Sequence, residues 1–212
     1  MAAKKLAKKS PKMPTKVAKP GLKAELPVRE FESAAAFERW LGAQHAKSPG
    51  IWLRLMKKAS GQPRVTYAEA LEIALSFGWI DGQIKAHDAA SWLRKFVPRG
   101  ARSIWSKINR EKALALIAQK RMQPAGLLQV ELAKKDGRWA AAYDSARNAK
   151  PAPDFAAALA ASPRAAAFFA TLTGANRYAV LFRVQAPKKP ETRVRKIREL
   201  IEMLEQGKKI HG

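Results

Sequence analysis

The sequence predicts an α+β protein: a small N-terminal unit with a few short strands, followed by a helical C-terminal unit. Three observations carry this. Residues 51–56 alternate, with Ile51, Leu53 and Leu55 on one side and Trp52, Arg54 and Met56 on the other. Two aromatic-bearing runs, about 79–84 and 92–96, flank a polar tip at His87-Asp88 and read as a hairpin. Beyond residue 154 the apolar residues recur at helical spacing, without strand alternation.

Taken in order, residues 27–31 read as a short edge strand. Ser33 caps a helix carrying Phe37, Trp40 and Leu41, which stops before the turn Ser48-Pro49-Gly50. The strand over 51–56 follows, and Gly61-Gln62-Pro63 breaks the chain. Thr66 and Glu69 have capping-box spacing, in which each satisfies an N–H of the other's backbone. Leu71, Ala74, Leu75 and Phe77 form that helix's stripe, and Gly78 stands where a C-terminal glycine belongs. After the hairpin, Ser106 caps a helix expected to turn Ile108, Leu114 and Ile117 inward. Pro124 opens another, ending before Asp136-Gly137. Residues 147–154, RNAKPAPD, read as a linker. Ser162-Pro163 starts a helix with Phe168, Phe169 and Leu172 behind it. A further helix spans about 175–184. Pro190 starts the last, with Val194, Ile197, Ile201 and Leu204 on one stripe and Gly207 closing it. The expected organisation is a tail over 1–24, an α+β domain over 25–147 and a helical domain over 148–212.

The 212-residue chain has no cysteine, which excludes disulfides, thiolate zinc sites, Fe–S clusters and cysteine nucleophiles. Its formal net charge is +24. Lys4, Lys5, Lys8, Lys9, Lys12, Lys16, Lys19 and Lys23 put +8 into residues 1–24, where no acid occurs, so the rest carries +16. The tail offers little to bury and reads as disordered, either a solubilising extension or a nonspecific nucleic-acid arm. Both tail and body favour a polyanionic partner. The tail lacks the apolar stretch of a signal peptide, and no run approaches the length of a membrane span, so a cytoplasmic location is expected.

The chemistry-bearing residues concentrate between 77 and 109. Phe77, Trp79, Trp92, Phe96 and Trp105 interleave there with Lys85, Arg94, Lys95, Arg99, Arg102 and Lys107, against two acids, Asp81 and Asp88. Trp usually marks a core, a pocket wall or an interface. Asp81 either pairs with an arginine or orients a ligand. We expect Trp79, Asp81, Arg99, Ser103, Trp105, Lys107 and Asn109 to converge on a site for a small anionic ligand, because three element ends meet there and a helix N-terminus favours an anion. No metal or cofactor is expected: His45, His87 and His211 have no ligand spacing, and the P-loop, dinucleotide and nucleophile-elbow patterns are missing. No catalytic set is evident, and Ser103 and Ser106 read as caps.

Several motifs together resemble one family. Gly78-Trp79-Ile80-Asp81-Gly82, Phe96-x-Pro98-Arg99 and Ser103-Ile104-Trp105-Ser106-Lys107-x-Asn109 are similar to the YdeI/OmpD-associated, or bacteriocin-protection, family. The resemblance continues through Arg121-Met122-x-Pro124-Ala125-Gly126 and Asp136-Gly137-Arg138-Trp139 to Pro190-Glu191-Thr192-Arg193, covering about residues 28–208. Where the resemblance implies an Arg-Phe-Ser/Thr-Pro-Arg pattern, this chain has Lys95 and Val97, and lysine keeps the charge but loses the planar bidentate fork. The resemblance implies protection against bacteriocins or cationic antimicrobial peptides, by a non-enzymatic route, and brings no catalytic residues. A nucleic-acid-associated protein and an enzyme or binding protein for a small anionic metabolite are the alternatives. Oligomeric state is left open.

Overall fold

The computed structural model describes residues 25–57, 64–187 and 189–212. The tail lysines named above lie outside the described residues, and so does the Gly61-Gln62-Pro63 break. The order is β1 (Val28–Arg29), α1 (Ala34–Gln44), β2 (Ile51–Met56), α2 (Tyr67–Ser76), β3 (Trp79–Ala86), β4 (Ser91–Pro98), α3 (Lys107–Ala118) and α4 (Pro124–Lys135). Then come α5 (Pro153–Ala160), α6 (Pro163–Thr171), α7 (Gly174–Gln185) and α8 (Pro190–Glu205). Four strands form one sheet in the order β1-β2-β4-β3. β1 runs parallel to β2, and the other neighbours are antiparallel. This is the α+β architecture the pattern predicts.

One face of the sheet is covered by α1 and α2. Ile51, Leu53 and Leu55 from β2, Trp79 from β3 and Phe96 from β4 pack against Phe37, Leu41, Ala70, Ile73 and Ala74. Burying each large side chain of this set stabilises the fold by about 1.5–3 kcal/mol. Both caps form as spaced. The Ser33 side chain accepts from the Ala36 N–H at 3.2 Å, and the Thr66–Glu69 capping box closes in both directions. The other side of α2 packs a second cluster, in which Leu71 and Leu75 meet Trp105, Ala113, Leu116, Met122 and Val130. Two glycines set this approach. Gly78 has φ +74°, and a Cβ there would lie 2.8 Å from the Ala125 carbonyl oxygen. A Cβ on Gly126 would lie 2.2 Å from the Ser76 carbonyl oxygen. The end of α2 therefore touches the start of α4 backbone to backbone, at a distance only glycine permits.

The C-terminal helices build a third core from Phe155, Leu159, Phe169, Val180, Leu181, Ile197, Leu200 and Leu204. It joins the first part through aromatic and polar contacts. The Tyr178 hydroxyl donates to the Asp144 carbonyl at 3.0 Å, and Phe182 of α7 meets Tyr143 edge to face.

Three details differ from the sequence reading. The hairpin is longer, 79–86 with 91–98, and carries a register shift between Asp81 and Ile84. Ile108 and Leu114 are exposed, and α3 turns Asn109, Ala113 and Leu116 inward. The small Ala113 at the centre of that face lets α3 lie close to α2, and close packing outweighs the larger apolar side chains. Val194 is likewise exposed, while Ile197, Leu200 and Leu204 form the buried stripe of α8.

Candidate functional site

β4 carries one arginine within the strand and delivers a second just past its end. Alternation places Arg94 on the same face as Phe96, the face that packs against the helices. An inward charge needs a partner. Asp81, across the sheet on β3, supplies it: Arg94 Nε donates to the Asp81 carboxylate at 3.0 Å, and its Nη2 donates to the same oxygen. The Tyr67 hydroxyl from α2 donates to that oxygen as well, at 2.7 Å. The Arg94 guanidinium also lies over the Tyr67 ring. Burial, then the Asp81 hydrogen bond, pushes the Tyr67 phenol up to about 12.

Arg99 stands differently. Pro98 ends β4, and the Arg99 N–H donates to the Gly78 carbonyl at 3.0 Å, which pins the exit of β4 to the end of α2. The side chain is 5 % exposed. Its guanidinium carbon lies 3.6 Å from the Trp105 ring centroid, a stacked cation–π contact. Nη1 donates to the Ile104 carbonyl at 3.2 Å. Among the described residues, Nε and Nη2 have no hydrogen-bond partner, and neither does Nε1 of Trp105, itself 1 % exposed. No carboxylate contacts Arg99 among the described residues. Burial without a counter-charge draws the Arg99 guanidinium down to about 10; Tyr143 and Asp81 act against that fall and Arg138 adds to it.

A second buried arginine completes the neighbourhood. Arg138 is 7 % exposed. It donates from Nη1 to the Ser103 carbonyl at 2.7 Å and forms an ion pair with Asp136. The loop from Gly100 to Ser106 is thus held by two guanidinium groups, one with a counter-ion and one without. Tyr143 closes the group. Its backbone bridges to this loop, accepting from the Lys107 N–H at 2.8 Å and donating to the Trp105 carbonyl at 3.0 Å. Burial raises its phenol pKa, with Asp81 adding to the rise and Arg99 opposing it.

Of the residues expected to converge, Arg99 and Trp105 are in direct contact, and the charge of Asp81 reaches Arg99. Ser103 closes the loop beside them, its hydroxyl accepting from the Gly100 N–H at 3.0 Å and its carbonyl accepting from Arg138. Trp79 lies elsewhere: it is 1 % exposed in the main core, and its Nε1 donates to the His45 carbonyl at 3.1 Å. Lys107 pairs with Asp144 at 2.8 Å. Asn109 is buried in the first turn of α3, where its N–H donates to Ser106. Sequence reasoning missed Tyr67, Arg94, Arg138 and Tyr143. Arg94 could have been found from alternation, two positions before Phe96. Tyr143 leaves no such signal, because it arrives from an irregular segment 37 residues beyond Ser106.

The fold and this centre define an α+β protein with a buried, uncompensated arginine beside a helical C-terminal unit. Residues 148–207 match the family described as Bacteriocin-protection, YdeI or OmpD-Associated, and the chain carries a C-terminal domain of that family. Residues 29–129 match a domain of unknown function (DUF8412), so the span that the motifs link divides between two descriptions. No curated protein and no solved structure matches the chain. Among the described residues, no helix is long and apolar enough to cross a membrane.

Proposed function

We propose that this protein is a non-enzymatic binding protein for a small anion, and that it acts in bacteriocin or cationic-peptide protection through the bound form. The protective role follows the description of the family at 148–207. The anion is argued from one observation: a 95 % buried cation, Arg99, keeps two N–H donors unused. Leaving buried donors unmade costs about 1–3 kcal/mol each, and more on a charged group. An anion seated on Nε and Nη2 removes that cost and supplies the missing counter-charge. Trp105 Nε1 offers a third donor in the same neighbourhood.

The test follows the Arg99 Nε–H signal by NMR during titration with sodium acetate against sodium chloride at equal ionic strength. A saturable shift of this signal, lost in Arg99→Met, is the expected result. In cells, Arg99→Met should lose protection while the protein level holds. An Nε–H signal indifferent to acetate contradicts the reading.

The sequence also favours a second reading, binding of nucleic acid through the eight tail lysines and the +16 body. Nonspecific duplex DNA binding should weaken steeply with salt, and deleting residues 1–24 should flatten the log–log salt slope by up to about 7. Binding that resists salt, or that selects a sequence, would rule out this form of it.

A further inference from the structure

We infer that the outward side of α4 seats this protein on an anionic lipid surface, a contact that does not use Arg99. The pattern of α4 is inverted relative to an ordinary surface helix. Its buried side carries Gly126, Val130 and Ala133, and Gly126 lets its backbone close on α2. Its largest apolar residues point the other way: Leu127, Leu128 and Leu132 are exposed, Leu128 at 57 %. Leu128 and Leu132 are one turn apart, and Leu127 borders Leu128 on its other flank. Single apolar residues on a surface need no account, whereas a cluster rimmed by charge marks an interaction site. The rim here is basic. Residues 120–138 hold five cations (Lys120, Arg121, Lys134, Lys135 and Arg138) and two acids (Glu131 and Asp136), a net +3. Both acids are paired within the segment, Glu131 with Lys134 at 2.9 Å and Asp136 with Arg138 at 2.8 Å.

Charge and residue type choose the occupant. A second copy is disfavoured, because residues 25–212 carry +16 in each chain and the two would repel. A nucleic acid would answer the lysines and leave the leucines in water. Protein interfaces are anchored by Trp, Tyr and Arg more than by Leu, and α4 contains none of those three. Acidic headgroups over an apolar acyl layer answer both features: leucines enter the layer while lysines reach back to the headgroups. Lasting attachment of this kind takes two signals, such as an apolar insertion joined to a polybasic segment. Residues 1–24 supply the second, with eight lysines and no acid. A chain of that length spans up to roughly 80 Å when extended, more than the breadth of a body of this size, so its lysines can reach the surface on which α4 lies.

The experiment floats full-length protein with vesicles of phosphatidylcholine alone and of phosphatidylcholine mixed with phosphatidylglycerol. It compares the parent with Leu128→Gln/Leu132→Gln, with Val194→Gln and with a chain lacking residues 1–24. Glutamine holds a helix nearly as well as leucine and both leucines are exposed, so the double variant should keep the parent's melting temperature. Val194, exposed on α8, controls for the loss of any surface apolar group. The parent should bind the anionic vesicles and not the zwitterionic ones. The double variant should bind at least about tenfold more weakly, as withdrawing two leucines from an apolar layer implies, and Val194→Gln should match the parent. Deleting the tail should also weaken binding and flatten its salt dependence. Absence of binding to anionic vesicles, or equal binding by the parent and the double variant, overturns the inference. A parent dimer that the glutamines dissociate overturns it in favour of a second copy. Duplex DNA binding that the same glutamines weaken as strongly overturns it in favour of nucleic acid.

Discussion

Arg94 and Arg99 lie five residues apart on and just after one strand, both largely out of water, yet their surroundings are opposite. Around Arg94 every charge is answered: the carboxylate of Asp81, the hydroxyl and ring of Tyr67. Around the Arg99 side chain, among the described residues, the Trp105 ring and the Ile104 carbonyl are the direct partners, and no carboxylate pairs with it. A fold can bury a cation for its own sake only by pairing it, because an unpaired buried charge costs several kcal/mol. The first arginine is therefore part of what holds β3, β4 and α2 in register. The second is buried without such a partner, and on that feature the proposed anion site rests.

This contrast predicts unequal effects for one substitution at two positions. Arg94→Met strands the Asp81 carboxylate inside the fold, and we expect urea unfolding to show a loss of about 3–5 kcal/mol. A loss below 1 kcal/mol would mean that Asp81 escapes to water and that the pair is not structural.

Tyr67→Phe removes one hydrogen bond to that carboxylate, an expected loss of about 1–1.5 kcal/mol at neutral pH. Its pH dependence sharpens the assignment. The folded phenol sits at about 12, above the unfolded value near 10, so the folded state holds its proton longer. The stability linked to that shift is present below pH 10 and is lost as pH rises from 10 toward 12. The advantage of the parent over Tyr67→Phe should shrink across that window. A constant difference would place Tyr67 outside the buried cluster.

Lys107→Met is the smallest expected change. Its pair with Asp144 is half open to solvent, with the lysine side chain 44 % exposed, so a loss of under about 1 kcal/mol is expected. Acetate binding should be unchanged. If binding disappears, the anion site reaches the start of α3, as the sequence spacing alone implies.

The local elements that frame this contrast are legible in the sequence, and the contrast itself is not. The capping box at Thr66, the glycine at 78 and the strand at 51–56 rest on interactions within a few residues, which a sequence displays directly. The motifs also placed Asp81, Arg99 and Trp105 in one block. Arg94 as the partner of Asp81 follows only from the parity of β4, which sets it on the Phe96 face, a weaker sequence signal than the aromatic residues around it. Tyr143 and Arg138 belong to the site only through long-range packing: each reaches the Gly100–Ser106 loop across more than 30 residues of chain. The inward face of α3 differs in part: Ile117 packs against the core as expected, while Ile108 and Leu114 face solvent and Ala113 and Leu116 take the buried positions.

The most direct test is the unfolding free energy of Arg99→Met, measured with and without sodium acetate and beside the parent. An apolar side chain of similar length ends the cost of the buried charge while giving up one hydrogen bond, so the variant without acetate should lie within about 1 kcal/mol of the parent or above it. Acetate should raise the parent's stability in proportion to the logarithm of its concentration above Kd and leave the variant unchanged. A variant that loses several kcal/mol, beside a parent indifferent to acetate, would show that Arg99 is as structural as Arg94 and would contradict the account.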